Sequence, residues 1–547
     1  MINTPDHVET TSALMRPCSR YVTALVQVWL AALLGGVALL SYAANANDEM
    51  AAHTYTAQRI VAVGDVHGAY EALQQLLQAN QIIDAENRWI AGTTHLVSLG
   101  DMLDRGARSR EVMDLLRSLQ VQAREANGRV HVLLGNHESM NLLGDLRDVS
   151  VAEFASYLES AGEEATDTTQ PPGYAAHRAA FAPDGDYGQW LLSLPMMIKI
   201  NDTLFVHGGV PPLRQSTLEE LNREAIMQLK AEISSDQAVP VDAPLLDSNG
   251  PLWYRGSAAC HPILEAPILE AQLAAFGARD VVIGHTPTPT RRVQSRLQGR
   301  VTIIDTGMLR SVYRGKAYLV ELTSEGTRVF DVKGNASTID WWHPVLTQPP
   351  ENETGVAERI RSNDLEATKL MLGAEWTKAR SATIAKLVAS WRLDRELGLW
   401  MTPLTIADET GRRYLQVIRD QWITEAERRA SGRTTSNHCL RGHQNLLVAA
   451  FDALQGVTTR SVESLYVHKG NGNLRLAPIP QSFGTSTQLP QYGETPTVPD
   501  AMARKLAALD NTKLTELLGD LLSKRQIKAL LARRDKILQW PRTEHTL

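Results

Sequence analysis

Short apolar runs alternate with glycine- and aspartate-rich turns and with helical stretches between about residues 59 and 330. The runs are three to six residues long and rich in Val, Ile and Leu, which is typical of buried β-strands bounded by turns. Strands that alternate with helices predict an α/β fold. The six runs are Ile60–Val63, Thr94–Leu99, Val130–Leu134, Leu204–Val206, Val281–Ile283 and Val301–Ile304.

The first fifty residues follow a different pattern. Arg16 and Arg20 precede an apolar stretch over residues 21–40, and Ala44-Asn45-Ala46 follows it. Basic, apolar and small residues in this order predict a secretory signal peptide that is cleaved after Ala46. The stretch is also long enough to span a bilayer, so an uncleaved membrane anchor is the alternative for residues 1–46. In both cases we expect an exported protein, periplasmic or membrane-anchored, with its body outside the cytoplasm.

A proline-rich segment separates the α/β pattern from the rest of the chain. Pro344, Pro349 and Pro350 predict a linker over residues 336–355. Beyond it the chain is more basic and has helical periodicity, most clearly in the leucine-rich stretch 501–540. We therefore predict an α/β domain at 55–335 and a mostly helical domain at 356–547.

Composition and charge narrow the chemistry. Of the 547 residues, 43% are hydrophobic and 21% charged, as in soluble globular proteins. The 55 basic and 61 acidic residues give a net charge of −6, which argues against a nucleic-acid partner, since such partners need a basic face. Three cysteines exclude a cysteine-rich zinc module. If Cys18 leaves with the signal, Cys260 and Cys439 either pair with each other or stay as two thiols.

Each of the first five apolar runs ends in a polar cluster, and strand ends are where α/β folds present functional groups. The clusters together offer imidazole, carboxylate and amide ligands, which suit two divalent metals of the zinc, manganese or iron type. Such a two-metal centre polarises a phosphoryl group and turns water into a nucleophilic hydroxide. The clusters are Gly64-Asp65-Val66-His67-Gly68, Gly100-Asp101-Met102-Leu103-Asp104-Arg105-Gly106, Gly135-Asn136-His137-Glu138, Val206-His207-Gly208-Gly209 and Ile283-Gly284-His285-Thr286.

These clusters, in this order, resemble the calcineurin-like metallophosphoesterase superfamily and, within it, the phosphoprotein phosphatases. Asp104 and Arg105 favour that group over the bis-nucleoside tetraphosphatases, which lack the acidic residue. The resemblance extends over residues 59–331 and implies a metallophosphoesterase β-sandwich flanked by helices. Further runs are similar to the bacterial Shewanella-like phosphatases: Leu133–Leu142, Asn201–Gly209, Leu252–Gly256 and Ile304–Met308.

The resemblance implies a role for each polar position. Two divalent metals, manganese, iron or zinc, would be bound with Asp101 as the bridge between them. The first metal would be held by Asp65, His67 and Asp101, and the second by Asp101, Asn136, His207 and His285.

The resemblance also implies the groups that act on the substrate. His137 would protonate the leaving oxygen as general acid, with Asp104 orienting its ring. Arg105 and Arg255, together with Asn136, would bind the phosphoryl oxygens. Metal-bound hydroxide would then displace the leaving group in a single step, without a phosphoenzyme.

Three functions stay open on this basis. The first is a metal-dependent phosphatase acting on phosphorylated Ser, Thr or Tyr side chains of proteins. The second keeps the metals but acts on nucleotides or other small phosphate esters. The third is a non-catalytic binding or scaffold protein of the envelope; the intact ligand set argues against it. Under any of the three functions, residues 21–40 would be the membrane anchor if the segment is not cleaved.

Three other polar residues are expected to be structural. Asp305 precedes Gly307 and is predicted to cap a turn. His95 and His131 lie inside apolar runs and are predicted to be packed or hydrogen-bonded.

Pieces of the C-terminal half, among them residues 389–399 and 526–535, resemble an atypical kinase-like domain of bacteria. Where such kinases carry Thr-Asp-Arg, this chain has Thr458-Thr459-Arg460, and where they carry an Ile-Asp metal ligand it has Ile479-Pro480. Without these carboxylates the domain could not organise magnesium on a nucleotide. The resemblance thus implies a degenerate, pseudokinase-like domain; a helical domain that only packs on the first is the alternative.

Overall fold

The computed structural model describes residues 53–158, 169–234, 249–341, 376–408, 410–416, 422–432, 441–468, 474–492 and 496–543. The predicted signal or anchor at 1–46, most of the predicted linker, Cys18 and Cys439 lie outside the described residues. Within the described residues, no helix combines the length and the apolar character needed to cross a membrane.

Six strands form a mixed sheet in the order β12-β11-β10-β2-β3-β4. The three strands β2, β3 and β4 are parallel, so their carboxyl ends lie at the same edge. The strands are β2 (Arg59–Val63), β3 (His95–Ser98), β4 (Arg129–Val132), β10 (Tyr318–Thr323), β11 (Gly326–Asp331) and β12 (Ala336–Ser337).

Seven strands form a second mixed sheet in the order β1-β5-β6-β7-β9-β8-β13. Its neighbours β6, β7 and β9 are again parallel to one another. The strands are β1 (Thr54–Tyr55), β5 (Met197–Ile200), β6 (Thr203–Val206), β7 (Asp280–Ile283), β8 (Gln294–Arg296), β9 (Val301–Ile303) and β13 (Asp340–Trp341).

Helices and turns connect these strands. Most of the helices carry an apolar stripe, as α2 does with Val112, Leu116 and Leu119 on its buried face. The helices are α1 (Tyr70–Ala79), α2 (Ser109–Glu125), α3 (Asn136–Leu143), α4 (Val151–Ala155), α5 (Tyr174–Ala180), α6 (Asp186–Leu191), α7 (Leu218–Ile233), α8 (Gly256–Ala259), α9 (Pro262–Ala275) and α10 (Arg310–Tyr313).

The two sheets share an apolar core. Ile60 and Ala62 of β2 belong to a buried cluster that also contains Phe205 and Val282 of the other sheet. The intervening Val61 and Val63 belong to a second cluster together with helix residues. This period-two division places one face of the sheet against the other sheet and the opposite face against helices. The predicted α/β sandwich flanked by helices is confirmed.

All six apolar runs of the sequence form strands, each within two residues of the predicted bounds. The predicted linker differs in its first part, because β12 pairs with β11 and β13 pairs with β8. The sheets therefore continue to residue 341.

Beyond residue 375 the described chain is helical, as predicted, but it also contains strands that were not predicted. These strands have only two to four residues, too few for an alternating pattern to be recognised. The helices are α11 (Ser381–Glu396), α12 (Glu425–Ala430), α13 (Arg441–Gln455), α14 (Asp500–Ala507), α15 (Asn511–Leu518) and α16 (Lys524–Ile537). The strands are β14 (Trp376–Lys378), β15 (Thr405–Ala407), β16 (Arg413–Gln416), β17 (Trp422–Thr424), β18 (Leu465–His468), β19 (Leu474–Leu476), β20 (Val498–Pro499) and β21 (Arg542–Thr543).

This C-terminal region, residues 376–543, has its own apolar core, formed by residues such as Leu393, Phe451 and Leu530. Ile263 and Leu264 of α9 also belong to that core, so the α/β half contributes to it directly. Cys260, just before α9, is disulfide-bonded, which decides against two free thiols. Its partner lies outside the described residues.

Candidate functional site

Five strand-end turns bring the predicted site residues together. The parallel strands β2, β3 and β4 of one sheet and β6 and β7 of the other end at a common edge. The side chains that follow these strands are almost completely buried. They are Asp65 and His67 after β2, Asp101 after β3, Asn136 and His137 at the start of α3, His207 after β6 and His285 after β7.

Asp101 lies at the centre of the cluster. Ligand atoms of His67, Asp101 and His137 lie within 4.8 Å of one another, and so do those of Asp101, His207 and His285. Nε2 of His207 is 3.2 Å from Oδ1 of Asp101. The same Nε2 is 3.0 Å from Oδ1 of Asn136. Only Asp101 belongs to both groups, which is the position that a bridging ligand requires.

Backbone carbonyls fix the orientation of the imidazoles. Nδ1 of His67 donates to the Leu103 carbonyl and Nδ1 of His207 donates to the Leu99 carbonyl, each over 2.8 Å. Since a carbonyl only accepts, each ring keeps its proton on Nδ1 and turns Nε2 towards Asp101. Burial also lowers the pKa of His67 to about 3, which favours the neutral ring that binds metals.

Buried carboxylates crowd around this cluster. Burial, reinforced by the charge of Asp305, raises the pKa of Asp65 well above its usual value. Burial raises the pKa of Asp305 as well. Asp305 also accepts from the Gly307 N–H over 3.0 Å, which confirms the predicted turn cap.

The donor set fits a pair of divalent cations. Carboxylate and amide oxygens with neutral imidazoles are the ligands of manganese, iron and zinc, and two such ions would balance the crowded negative charge. Asp65, His67 and Asp101 would hold one ion, and Asp101, Asn136, His207 and His285 the other. These individual assignments stay predictions.

Glu138 ties two of the turns together, a role that sequence reasoning missed. Its Oε2 accepts from the backbone N–H groups of Asp101 and Gly135, and its Oε1 accepts from that of Met102. Burial, with the nearby charge of Asp101, raises the pKa of Glu138 to about 7. Its place directly after His137 was the feature of the sequence that could have indicated a role at the site.

His137 and Asp104 form a buried pair. Nδ1 of His137 is 2.6 Å from Oδ2 of Asp104. Asn141 donates to the other oxygen of Asp104 over 2.9 Å, so the carboxylate is held on both sides. Burial alone would lower the pKa of His137, but the charges of Asp101 and Asp104 raise it. The pair has the geometry of an oriented proton donor.

Both predicted arginines line one cavity of about 400 Å³ above the cluster. Nη1 of Arg105 is 2.7 Å from Nε2 of His67 and also contacts the Tyr313 hydroxyl, so a metal on His67 requires Arg105 to withdraw. Nη1 of Arg255 donates to the His285 carbonyl over 2.7 Å and to Oγ1 of Thr286 over 3.1 Å.

Several lining residues were not predicted from the sequence. Tyr313 stacks on the His67 ring at 5.6 Å between centroids, although α10 is far from it along the chain. Its position shortly after the Ile304–Met308 run was a usable signal. The other unpredicted lining residues are Met140, Arg147, Asp148, Trp253 and Pro287.

Five non-glycine residues of the site have a left-handed backbone, beside the glycines Gly68 and Gly100 of the same turns. His67, Asp101, Asp104, Arg105 and His285 have φ between 49° and 69°. Such values are uncommon for non-glycine residues, although Asp and His adopt them more often than most others, and they concentrate at functional sites. These turns direct the side chains from the strand ends into the cluster.

Two glycines allow the carboxylates to approach the backbone. A Cβ atom on Gly284 would lie 2.4 Å from Oδ1 of Asp65, and one on Gly135 would lie 2.3 Å from Oδ1 of Asp101. Both distances are far below van der Waals contact. Larger residues would therefore displace the predicted metal ligands.

Comparisons with known proteins agree with this geometry. The family model described as calcineurin-like phosphoesterase matches residues 58–289, which include every predicted site residue. The matched range ends before the C-terminal region, so the kinase-like resemblance there stays a prediction.

Individual relatives each match about half of this chain. Shewanella-like protein phosphatase 1 of Plasmodium berghei is 29% identical over 266 residues, 48% of this chain and 70% of the relative. An uncharacterized protein of Schizosaccharomyces pombe is 30% identical over 276 residues, 49% of this chain and 78% of the relative. The solved cold-active protein-tyrosine phosphatase of a psychrophilic Shewanella species is 32% identical, with 53% of this chain and 84% of that chain covered and a TM-score of 0.45.

Proposed function

This chain belongs to the calcineurin-like phosphoesterases and is a metal-dependent phosphatase, and from this premise we propose that it hydrolyses phosphate monoesters on Ser, Thr or Tyr side chains of proteins. The observation that carries the proposal is the 2.6 Å contact between His137 and Asp104 at the wall of the cavity. An oriented acid beside a carboxylate-rich cluster suits the cleavage of an ester whose leaving oxygen needs a proton.

Different residues of the chain bind the phosphoryl group and protonate the leaving oxygen. When bound, two divalent metals polarise the phosphoryl group and activate the attacking water. Arg105 and Arg255 bind the phosphoryl oxygens through their planar donor forks. Asp104 accepts the Nδ1 proton of His137, which leaves the Nε2 proton for the leaving oxygen as its bond to phosphorus breaks.

The test is a substrate panel on the purified full-length protein. Manganese, zinc and iron are supplied in turn with phosphoserine, phosphothreonine and phosphotyrosine peptides and with nucleotides, and Asp101→Asn serves as the blank. We expect phosphate release from peptides above that from nucleotides. Release from nucleotides alone would favour the small-ester alternative, and no release with metal bound would favour a binding protein.

We propose that the ions are two of manganese, iron or zinc. The mixture of imidazole and carboxylate ligands supports these borderline ions over magnesium or calcium. Metal analysis of the protein as purified should find about two ions per chain if both predicted ligand groups are real. Retention of one ion or none after reconstitution would contradict the two-metal assignment.

We also propose that the protein is exported. The order of Arg16, the apolar stretch 21–40 and Ala46 supports this. Cell fractionation with sequencing of the mature N-terminus tests it: a start at Asn47 means a cleaved signal, and an intact N-terminus in the membrane means an anchor. A cytoplasmic protein with an intact N-terminus would contradict both.

For the C-terminal region we propose a pseudokinase-like domain without phosphoryl transfer. Thr459 and Pro480 stand where carboxylates would be needed for magnesium, which supports this. Arg460 is occupied by a bidentate ion pair with Asp452. Transfer of labelled phosphate from ATP by the full-length protein would contradict the proposal.

A further inference from the structure

The segment that carries Arg255 is held both by residues of the α/β half and by the C-terminal region. It runs from Tyr254 through α8 to His261 and then enters α9. An arginine that binds a phosphoryl group must be held to within a fraction of an ångström, so whatever fixes this segment affects the site.

Arg296 of β8 holds the segment from the α/β side. The side chain is buried, with 2% of its surface exposed. Its guanidinium donates to the carbonyl of Gly256 over 3.0 Å and also to the carbonyls of Ser257 and Cys260. These carbonyls lie one, two and five residues after Arg255, so Arg296 fixes the backbone that follows Arg255.

Glu265 of α9 holds the same segment through hydrogen bonds to two of its side chains. Its Oε2 accepts from the Tyr254 hydroxyl over 2.8 Å, and its Oε1 accepts from the Ser257 hydroxyl over 3.1 Å. The Ser257 oxygen in turn accepts from the N–H of Val210, three residues after His207. The segment is thereby joined to a turn that carries a predicted metal ligand.

The C-terminal region holds the other end of the segment. Nε2 of the buried His261 donates to the Leu399 carbonyl over 2.6 Å. Nδ1 of His261 accepts from the Ile263 N–H over 3.2 Å and caps α9. The next two apolar residues, Ile263 and Leu264, pack in the C-terminal core.

Packing alone does not explain a histidine at this position. Burying an imidazole costs free energy unless its nitrogens are hydrogen-bonded, and here one nitrogen forms its hydrogen bond with the C-terminal region. The Leu399 carbonyl is presented by a turn that Asp394 shapes, since its Oδ1 accepts from the Met401 N–H over 2.9 Å and from the Thr402 N–H over 3.2 Å.

We propose that the C-terminal region is a positioning element for phosphate binding: through the contact between Leu399 and His261 it fixes the segment that carries Arg255 and thereby sets the affinity for the phosphoryl group. This rests on the proposed function, in which Arg255 binds the phosphoryl oxygens. His261 is a positioning residue, because it acts through Arg255 and does not line the cavity.

Two variants of the full-length protein test the contact from its two sides. His261→Asn keeps a side chain that caps helices well but is too short to reach Leu399. Asp394→Ala removes the oxygen that accepts from the Met401 and Thr402 N–H groups and so disturbs the turn that presents the Leu399 carbonyl. The matched controls are Thr217→Ala, which removes the cap of α7, and Asp452→Asn, which breaks another buried acidic contact of the C-terminal region.

The readouts are kcat and KM for p-nitrophenyl phosphate and the Kd of inorganic phosphate by calorimetry on the manganese-loaded protein. We expect His261→Asn and Asp394→Ala to raise KM and Kd by about fivefold, the effect of one lost hydrogen bond, with kcat nearly unchanged. The two controls lower the melting temperature without changing KM or Kd.

Arg255→Lys separates the two proposals. If it raises KM and Kd but His261→Asn and Asp394→Ala behave like their controls, the positioning role of the C-terminal region is wrong and the proposed function stands. If Arg255→Lys itself leaves both constants unchanged, Arg255 does not bind phosphate, and the positioning role falls with it.

Discussion

The buried acidic side chains of the candidate site have surroundings opposite to those of a buried acid in the C-terminal region. Within the described residues, Asp65, Asp101, Asp305 and Glu138 share one site, and none of them pairs with a lysine or arginine. In the C-terminal region the buried Asp452 is clamped by Arg460 through two contacts of 2.6 and 2.7 Å.

The difference separates structural acids from functional ones. A buried charge that is fully paired and hydrogen-bonded is satisfied by the fold itself. Several buried carboxylates without a cationic side chain are costly, so their presence points to a cation that comes from outside the chain. The first cluster has the chemistry of a metal site, and the Asp452–Arg460 pair is satisfied within the chain.

The largest expected effect is the loss of phosphatase activity when a buried carboxylate of the site is replaced. Asp65→Asn removes a predicted ligand, so phosphate release from p-nitrophenyl phosphate should fall by more than the roughly 10- to 100-fold cost of losing an outer hydrogen-bond partner. Without metal the free energy of unfolding should be unchanged or higher, because one of several crowded negative charges is gone. Retained turnover would contradict the assignment; Asp202→Asn, an exposed acid, is the control.

His137→Asn tests the imidazole that Asp104 orients. The variant cannot give a proton to the leaving oxygen, so kcat should fall by about 10²- to 10⁴-fold. The loss should be smaller for p-nitrophenyl phosphate, whose leaving group needs little protonation, than for phosphoserine peptides. Equal losses on both substrates would speak against a proton-donating role.

Asp452→Asn tests the opposite half of the comparison. It removes the anionic partner of the buried Arg460, which keeps the Ser464 and Ala477 carbonyls as acceptors, so denaturant unfolding should show a loss of about 3 kcal/mol, the lower end for a broken buried pair. The exposed pair of Asp520 with Arg392 is the control, since Asp520→Asn should cost less than about 1 kcal/mol. A reduced kcat in the folded Asp452→Asn protein would show that this pair is more than structural.

Gly284→Ala tests whether the predicted metal site needs the close approach of the Asp65 carboxylate to the backbone. The new Cβ would meet Oδ1 of Asp65 at 2.4 Å, so the carboxylate must move. We expect the metal Kd to rise by about 10- to 100-fold, as for other losses of ligand orientation. An unchanged Kd by calorimetry, with Gly484→Ala as the control because a Cβ atom there meets nothing within 4 Å, would show that the close approach is not needed.

The smallest effect concerns a buried polar pair outside the site. His95 and His131 contact each other at 3.1 Å beside the Tyr55 ring and near Arg129, as the sequence led us to expect. Burial lowers the pKa of His131 to about 3, below its unfolded value of 6.5, so the unfolded state takes up the proton first as pH falls.

Stability is therefore lost on acidification, by about 2 kcal/mol from His131 between pH 7 and pH 5. His131→Gln, which cannot titrate, should flatten the dependence of the unfolding free energy on pH over this range. Activity at pH 7 should not change. An unaltered slope would mean that His131 is not protonated on unfolding in this range.

The ends of the strands could be predicted from the sequence, and with them the core of the site. Apolar runs that end in polar clusters report both the strand and the edge where its ligands lie, so Asp65, Asp101 and His207 were found without a structure. What the sequence did not indicate depends on distant contacts: Tyr313 reaches Arg105 across 208 residues.

Other misses have local causes. The carboxylate of Glu138 binds three backbone N–H groups, and a sequence does not state which buried acid bonds to backbone and which binds a metal. The short strands of the C-terminal region owe their pairing to tertiary packing, as β17 and β18 do. The contact between His261 and Leu399 joins the two halves, so neither half alone predicts it.

The left-handed turns at the site have a consequence for protein engineering. Each of the five non-glycine residues there carries a backbone cost of order 1–3 kcal/mol, so glycine at His285 or Arg105 relieves strain at the expense of chemistry. A screen that selects only for thermal resilience would enrich such replacements and erode turnover. Searches for hardier variants should therefore leave these turns untouched and draw their gains from the exposed helices.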